Sequence, residues 1–150
     1  MAAIRRILHP TDFSPASAPA FARALALARD AGAVLLLVHV VPPRGPHLGK
    51  GYMDLKTYEE IARREAGLAM RSLQARAGRA GVRARAVVLE GQPFAEILRS
   101  AARERAGLIV IGTHGRSGFS RFFLGSVAER VIQLAPCPVL TVPSRRGRRR

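Results

Sequence analysis

The sequence is poor in several residue types that mark specialised classes of protein. Its 150 residues include one cysteine, Cys137, no tryptophan and only 5% aromatic side chains. A single cysteine excludes an intramolecular disulfide and suits a reducing compartment. No apolar run reaches the roughly 18 residues of a membrane span, and the N-terminal segment lacks the apolar core of a secretory signal. These absences predict a soluble, cytoplasmic protein without disulfides and without a membrane partner.

Lysine is also scarce, because 23 of the 25 basic residues are arginine. Ten acidic residues oppose them, which leaves a formal net charge of +15, and the last seven residues, SRRGRRR, hold five of the arginines. An excess of this size attracts polyanions such as nucleic acid. A general overuse of arginine and alanine explains the same composition without any partner. The composition therefore leaves both interpretations of the charge open.

What the sequence does contain is a regular alternation of strand-like and helix-like segments. The strand-like runs are short and apolar, and helical periodicity fills the intervals between them. They are Ile4–Leu8, Val34–Val41, Val82–Leu89, Leu108–Ile111 and Val139–Val142. This alternation predicts a single α/β domain, a Rossmann-like open sheet of five parallel strands with helices on both faces. We expect residues 1–143 to form the domain and residues 144–150 to be a disordered basic tail.

A glycine-rich segment of fifteen residues, GTHGRSGFSRFFLGS, follows the fourth strand from Gly112 to Ser126. Ligands of open α/β sheets bind outside the carboxyl ends of the strands, which is where this segment begins. Gly115 and Gly125 allow the backbone to approach a ligand closely, because no Cβ intervenes. Arg116 adds positive charge nearby. These features favour an anion site over a plain connection.

The end of the same segment predicts the start of a helix. Ser126 and Glu129 have the three-residue spacing of a capping box, with Ser126 as the N-cap. Ser14 and Pro15 likewise predict the start of the first helix, and Gly32 predicts its end. The first N–H groups of a helix have no partner within it, and together with the helix dipole they attract phosphate. The P-loop pattern G-x-x-x-x-G-K-[ST] and the dinucleotide pattern G-x-G-x-x-G are both absent.

The glycine spacing resembles a different signature. Gly112-x2-Gly115-x9-Gly125-Ser126 is similar to the G-x2-G-x9-G-[ST] motif of the ATP-binding branch of the universal stress protein family. Further matches are HPTDFS after the first strand, HVV at the end of the second and APCPVL before the last. They occur in the family's order, and the resemblance covers about residues 1–142.

This resemblance implies the strand order 3-2-1-4-5, with the winding reversing between strands one and four. It also implies an ATP site at the ends of those strands, with magnesium held mainly by phosphate oxygens and water. Val40 is expected to meet adenine, and Asp12 and Gly112 to lie near adenine and ribose, although Asp12 also fits a role as a turn or cap residue. The residues expected around the phosphates are Gly115, Arg116, Gly125, Ser126 and Val127.

The last strand is the expected assembly surface. An exposed edge strand is usually covered or paired in natural proteins. The family resemblance implies that this edge pairs across a two-fold axis to form a homodimer. Its residues are Val139, Leu140, Thr141 and Val142.

No residue stands out as catalytic. His9, His39 and His114 lack the spacing of a metal site, so we expect structural roles for them and predict no metal ligands from the protein. Cys137 lies between two prolines and has the character of a small buried residue. Phosphoryl transfer needs a positioned nucleophile, and His114 is the only candidate for a group that orients an attacking water.

Three functions are compatible with these patterns. The first is an ATP-binding regulatory protein of the stress response, acting as a nucleotide-dependent dimer. The second is a slow ATPase or phosphotransferase. The third is binding of nucleic acid or another polyanion through the basic surface and the arginine tail, although aromatic interleaving and a recognition helix are lacking. We expect the first, with at most slow ATP hydrolysis.

Overall fold

The computed structural model of the chain describes residues 3–43, 54–114 and 125–144. Several predictions fall elsewhere. The site residues Gly115 and Arg116 lie outside the described residues, as do the segment 117–124 and all but the first residue of the predicted tail.

Five parallel strands form one sheet in the order β3-β2-β1-β4-β5. The strands are β1 Arg6–Pro10, β2 Val34–Val41, β3 Ala84–Glu90, β4 Leu108–Gly112 and β5 Val139–Val142. This confirms the predicted fold class and the predicted strand order. The bounds of β1 differ from the predicted Ile4–Leu8, because its pairing with β2 runs from Arg6 opposite Val34 to Pro10 opposite Val38. The strand thus reaches two residues closer to Asp12 than expected.

Four α-helices connect the strands. They are α1 Ala18–Ala31, α2 Leu55–Arg79, α3 Pro93–Arg103 and α4 Ser126–Leu134. Ser14 is the N-cap and Pro15 the first residue of a short 3-10 turn, Pro15–Ser17, which leads directly into α1. The predicted helix start is thus confirmed in part, because α1 itself begins at Ala18 and the Ser14 side chain makes no capping hydrogen bond. The predicted end of α1 is confirmed at Gly32, whose φ of 63° is the left-handed conformation that glycine adopts most easily.

Two apolar layers cover the sheet. Helices α1 and α2 pack on one face, where Leu35 and Leu37 of β2 contribute to the core. Helices α3 and α4 pack on the other face, where Leu36 and Val38 point. Successive side chains of a strand point to opposite faces, so a strand buried on both sides is apolar at every position. No helix in the described ranges is long and apolar enough to cross a membrane.

Candidate functional site

The winding of the sheet reverses at β1. From β1 the chain continues through α1 to β2, which pairs with one side of β1, and β4 pairs with the other side. The segments that leave the carboxyl ends of β1 and β4 therefore meet. A Cβ built on Gly112, the last residue of β4, would lie 3.5 Å from the carbonyl oxygen of Ala16 and 3.6 Å from Cα of Ser17. The end of β4 thus lies in contact with the turn that follows β1, which is the position where open α/β sheets bind ligands.

Local hydrogen bonds shape the segment from Thr11 to Ser14. The Asp12 carboxylate accepts the backbone N–H of Ser14 at 2.9 Å, and the Thr11 hydroxyl accepts that of Phe13 at 3.1 Å. Phe13 has φ of 61°, a conformation that costs a bulky residue roughly 1–2 kcal/mol. Such strain persists only where the surroundings enforce it. The predicted turn role of Asp12 is therefore present, and it fixes the direction of the carboxylate at the switch point.

His39 braces this segment from the neighbouring strand. Its Nδ1–H donates to the carbonyl oxygen of Thr11 at 2.7 Å. Its ring also lies 4.5 Å from the ring of Phe13, measured between centroids. The bond requires the proton on Nδ1, because a carbonyl oxygen can only accept. His39 thus has the structural role expected of it, holding the strained turn against β2.

His9 ties the two strands of the switch point together. It is fully buried, and its Nδ1–H donates to the carbonyl oxygen of Val110 in β4 at 2.9 Å. Burial disfavours the charged imidazolium and lowers the pKa of His9 to about 4. The bond to Val110 and the charge of Asp12 both raise the pKa, but they offset only part of this lowering. Near neutral pH the ring is therefore uncharged. His9, too, has the structural role expected of it.

Val40 lies at the carboxyl end of β2, opposite Leu89 of β3. Its side chain is 8% exposed and packs in the apolar layer with α3 and α4. The pairing of β2 with β1 ends at Val38, so the backbone of Val40 lies beyond the end of β1 and its nearly buried side chain leaves a small apolar surface there.

Gly125 holds the start of α4 against the end of β4. Its N–H donates to the carbonyl oxygen of Thr113 at 2.7 Å. A Cβ on Gly125 would lie 3.1 Å from that same oxygen, which is tighter than about nine in ten real contacts of a Cβ. A side chain at this position would therefore require the Thr113 carbonyl or the start of α4 to move by a few tenths of an ångström, so the close approach favours glycine.

The predicted capping box at Ser126 and Glu129 is wrong. The N-cap of α4 is Gly125, whose carbonyl oxygen accepts the N–H of Glu129 at 2.9 Å. Ser126 is therefore the first residue inside the helix, with an exposed side chain, and no side chain among the described residues caps α4. Val127 is half-buried and packs in the apolar layer with α3 and α4. Within residues 3–43, 54–114 and 125–144, no capping side chain competes with an external acceptor for the first-turn N–H groups.

Further titratable groups lie elsewhere in the described residues. Within the described ranges, no three His, Cys, Asp or Glu side chains are grouped so that they could hold a metal ion. Cys137 is half-buried rather than buried as expected, and burial raises the pKa of its thiol. Nδ1 of His114 lies 2.9 Å from the Thr113 hydroxyl, within hydrogen-bond distance.

Comparison with known proteins identifies the family. The model of the universal stress protein family matches residues 3–143. The chain belongs to the universal stress protein family. Universal stress protein MJ0531 of Methanocaldococcus jannaschii is 38% identical over 141 residues, which cover 92% of this chain and 81% of that protein. A universal stress protein of Thermus aquaticus is 37% identical over 92% of this chain and 98% of its own length.

A solved structure of the family extends the likeness to the backbone. Protein MJ0577, described in a structure-based assignment of biochemical function, superposes with a TM-score of 0.83 at 26% identity. The superposition covers 97% of this chain and 99% of the other. Nearly the whole of this universal stress protein therefore follows the fold of a solved structure.

Two of the predicted site residues lie at the strands of the switch point: Asp12 follows β1, and Gly112 ends β4. Two more, Gly125 and Ser126, begin α4, which the bond from Gly125 to Thr113 ties to the end of β4. Sequence reasoning missed one feature that shapes the site. The strained Phe13 and its contact with His39 join residues from separate segments, and nothing in either local pattern signals the pairing.

Proposed function

We propose that this universal stress protein binds an adenine nucleotide, ATP with magnesium, at the carboxyl edge of the sheet between β1 and β4. The observation that carries the proposal is the start of α4. There, a glycine N-cap without a side chain follows the G-x2-G-x9-G-S spacing and is tied to the end of β4 by the bond from Gly125 to Thr113. The nucleotide then acts as a regulatory ligand of the stress response.

The phosphate end of the proposed site is the first turn of α4. Unpaired N–H groups and the positive end of the helix dipole both favour phosphate oxygens. Because Gly125 has no side chain, no group of the N-cap competes with the ligand for these donors. Gly115 and Arg116 are assigned to the phosphates by the motif resemblance alone. Magnesium would be held mainly by phosphate oxygens and water, so the protein need not supply a ligand cluster.

The base and ribose end is formed by the turn after β1 and the end of β2. A carboxylate has about four acceptor positions, so Asp12 can keep its bond from Ser14 and also accept a ribose hydroxyl. Val40 offers the adenine a backbone edge and a small apolar surface. Two solved proteins of this fold contain adenine nucleotides, a universal stress protein with cAMP and an Arabidopsis thaliana family protein with AMP. At 24% and 19% identity, they resemble this chain in fold only.

We propose no enzymatic activity beyond slow hydrolysis of ATP. An efficient ATPase needs a group that orients the attacking water. His9 is fully buried, and His39 is bonded to the backbone of Thr11. The remaining candidate is His114, whose Nδ1 lies 2.9 Å from the Thr113 hydroxyl. Measured turnover should therefore be the same, at contaminant level, in the wild type and in Ser126→Ala. Turnover well above that level and lost in the variant would establish an enzyme instead.

We also propose a cytoplasmic homodimer that pairs through β5. This strand is a sheet edge, since β4 is its only partner among the described residues, and Leu140 on it is 38% exposed. Unpaired strand edges are normally covered or paired. The cytoplasmic location rests on the single, unpaired cysteine.

Calorimetric titration with ATP and magnesium tests the nucleotide site. Wild-type protein should bind close to one ATP per chain. Gly125→Ala should weaken binding at least tenfold, because its Cβ would press on the carbonyl oxygen of Thr113 and displace the start of α4. Gly67→Ala is the matched control, since nothing lies within 4 Å of a Cβ at Gly67, and it should bind as the wild type does. Equal affinity in all three proteins would refute the assignment of the phosphate site.

A further inference from the structure

A basic surface lies at the opposite edge of the sheet from the proposed nucleotide site. In a parallel sheet with connecting helices, the strands begin where the helices end. Arginines collect at this edge, which we call the amino-edge surface, and two acidic residues accompany them. Its arginines are Arg5, Arg6, Arg29, Arg79, Arg83, Arg85, Arg103 and Arg105, and its acids are Asp30 and Glu104.

Backbone hydrogen bonds fix the members of this surface close to one another. The carbonyl oxygen of Arg5 accepts the N–H of Val34 at 2.9 Å, at the start of β2. The carbonyl oxygen of Arg83 accepts the N–H of Leu35 at the same distance. On the other side of β1, the carbonyl oxygen of Arg6 accepts the N–H of Gly107, also at 2.9 Å. The first residues of β1, β3 and β4 therefore form a row across the sheet.

The net charge of the described residues is concentrated at this edge. They contain 16 basic and ten acidic residues, and the amino-edge surface holds eight of the basic and two of the acidic ones. Outside this surface the described residues carry eight basic and eight acidic side chains, so their net charge is zero. All eight arginines of the surface are exposed. The overuse of arginine therefore does not produce a uniform positive coat in the described part of the chain.

Ion pairs neutralise only part of this surface. Glu104 pairs with Arg85 at 2.6 Å and with Arg103 at 3.9 Å, and Asp30 pairs with Arg29 at 3.8 Å. The remaining arginines have no ion pair among the described residues. They are Arg5, Arg6, Arg79, Arg83 and Arg105.

Stabilisation of helix ends explains some of these residues but not the rest. Cations near a helix C-terminus interact favourably with the dipole, which accounts for Arg29, Arg79 and Arg103 in the last turns. Arg5 and Arg83 precede strands, where no helix dipole acts. Arg105 has φ of 50°, a left-handed conformation just after α3 that glycine would adopt more easily, so the local backbone does not favour arginine there.

We propose that the amino-edge surface binds the phosphate backbone of a double-stranded nucleic acid without reading its sequence. Arginine matches this ligand, because its planar guanidinium can donate two parallel hydrogen bonds to one phosphate. From β3 to β4 the row spans three strand spacings, about 14 Å. Each strand of a duplex carries one phosphate per roughly 3.4 Å of axis, so that length spans about four phosphates of one strand.

The composition of the surface favours a duplex over the other polyanions. Among the large exposed apolar side chains of the described residues the one aromatic is Tyr58, in the first turn of α2 at the other edge of the sheet, so this surface lacks the stacking platforms that bind single strands. Its large exposed apolar neighbours within the described residues are Ile4, two residues before β1, and Ile132 and Leu134 in the last turn of α4. So few apolar side chains offer little to insert into a lipid surface.

This surface is independent of the proposed nucleotide site. β2 spans eight residues between the two edges, which is about 26 Å. Loss of one site should therefore leave the other intact, and the two proposals can fail separately.

The test compares two variants of equal charge. Arg5, Arg79 and Arg83 are changed together to Gln in the surface variant, and Arg23, Arg64 and Arg71 in the control. In both sets the side chains are exposed and make no ion pair among the described residues. The full chain, with its arginine tail, is retained, so the tail contributes equally to every measurement. A further variant with Lys at the three surface positions keeps the charge. It shows whether a loss of duplex binding in the Gln variant comes from the lost charge or from a disturbed fold.

The measurement is the fluorescence anisotropy of a labelled 20-base-pair DNA duplex, titrated between about 50 and 200 mM salt. Each lost phosphate contact lowers the slope of log K against log salt by about 0.9, so the surface variant should show a slope reduced by up to about 2.7. Its affinity near 100 mM salt should fall at least tenfold. The control variant should keep the slope of the wild type, and the Lys variant should bind within a few fold of it.

Other outcomes would overturn the proposal. Absence of duplex binding by the wild type at 50 mM salt would do so, as would equal losses in the surface and control variants. Co-sedimentation with vesicles of phosphatidylserine and phosphatidylcholine provides the second arm. If the surface variant lost vesicle binding while its duplex binding was unchanged, the surface would serve a membrane and not a nucleic acid.

Discussion

Acidification should destabilise this protein through one residue, His9. The buried ring is neutral in the folded state, and its pKa is lowered to about 4 from an ordinary value of 6.5. Below pH 6.5 the unfolded chain binds a proton at this residue and the folded chain does not, so protons favour unfolding. The stability that depends on neutral His9 is present above about pH 6.5. It declines as the pH falls towards 4, where the folded state also begins to take up the proton.

The size of this effect follows from the difference between the two pKa values. A lowering of the pKa from 6.5 to about 4 corresponds to roughly 3 kcal/mol when it is fully expressed. Between pH 7 and pH 5 the expected loss is about 2 kcal/mol, and by pH 4 it is about 3 kcal/mol. This loss is a large part of the roughly 5–15 kcal/mol by which domains are stable.

Urea unfolding at several pH values between 4 and 8 measures the effect. His9→Asn is the comparison, because asparagine can present an N–H to the carbonyl oxygen of Val110 but does not titrate. The free energy of unfolding of the wild type should fall about 2 kcal/mol more than that of the variant between pH 7 and pH 5. The other histidines are common to both proteins and cancel in the difference.

Parallel curves for the two proteins would refute the reasoning. If the variant does not fold, NMR titration of the His9 ring protons in the wild type replaces the comparison of unfolding curves. An apparent pKa near 4 is expected, and a value near 6.5 would show that the ring is not held neutral by burial.

Two further predictions concern assembly and backbone conformation. Leu140→Asp should convert the dimer to a monomer in sedimentation experiments at micromolar concentration, because it places a charge on the proposed pairing edge. Val87→Asp is the control, since Val87 is 37% exposed on the other edge strand, and it should leave the dimer intact. A wild type that sediments only as a monomer would contradict the dimer. Gly32→Ala should lower the free energy of unfolding by about 1 kcal/mol, because φ of 63° disfavours a Cβ although nothing lies within 4 Å of it. Gly67→Ala, in the interior of α2, should instead leave the free energy of unfolding unchanged or raise it by up to about 1 kcal/mol. Equal effects of the two substitutions would contradict the conformational explanation.

Local sequence patterns predicted the architecture well, because the hydrophobic period of each segment reflects its burial. Leu35 and Leu36 are both apolar since they face different helical layers, and this consecutive pattern marked β2 as covered on both faces. The order of the strands came from the resemblance to the family and agrees with the observed sheet.

The predictions failed or stayed silent where tertiary contacts decide the local structure. The capping box was wrong because the bond from Gly125 to Thr113 fixes the N-cap one residue earlier than the Ser126 pattern implies. The contact of Phe13 with His39 depends on two strands lying side by side, which no local pattern encodes. The amino-edge surface likewise arises only when the topology brings the arginines of separate segments to one edge.

Photoaffinity labelling tests the central claim, nucleotide binding at the carboxyl edge, most directly. The protein is irradiated with an ATP analogue that carries an azide on the adenine ring, and the labelled peptides are identified by mass spectrometry. The account predicts labelling around Asp12 and Val40 that excess ATP with magnesium prevents and that Gly125→Ala reduces. Labelling confined to the amino-edge surface, or labelling that ATP does not compete away, would contradict it.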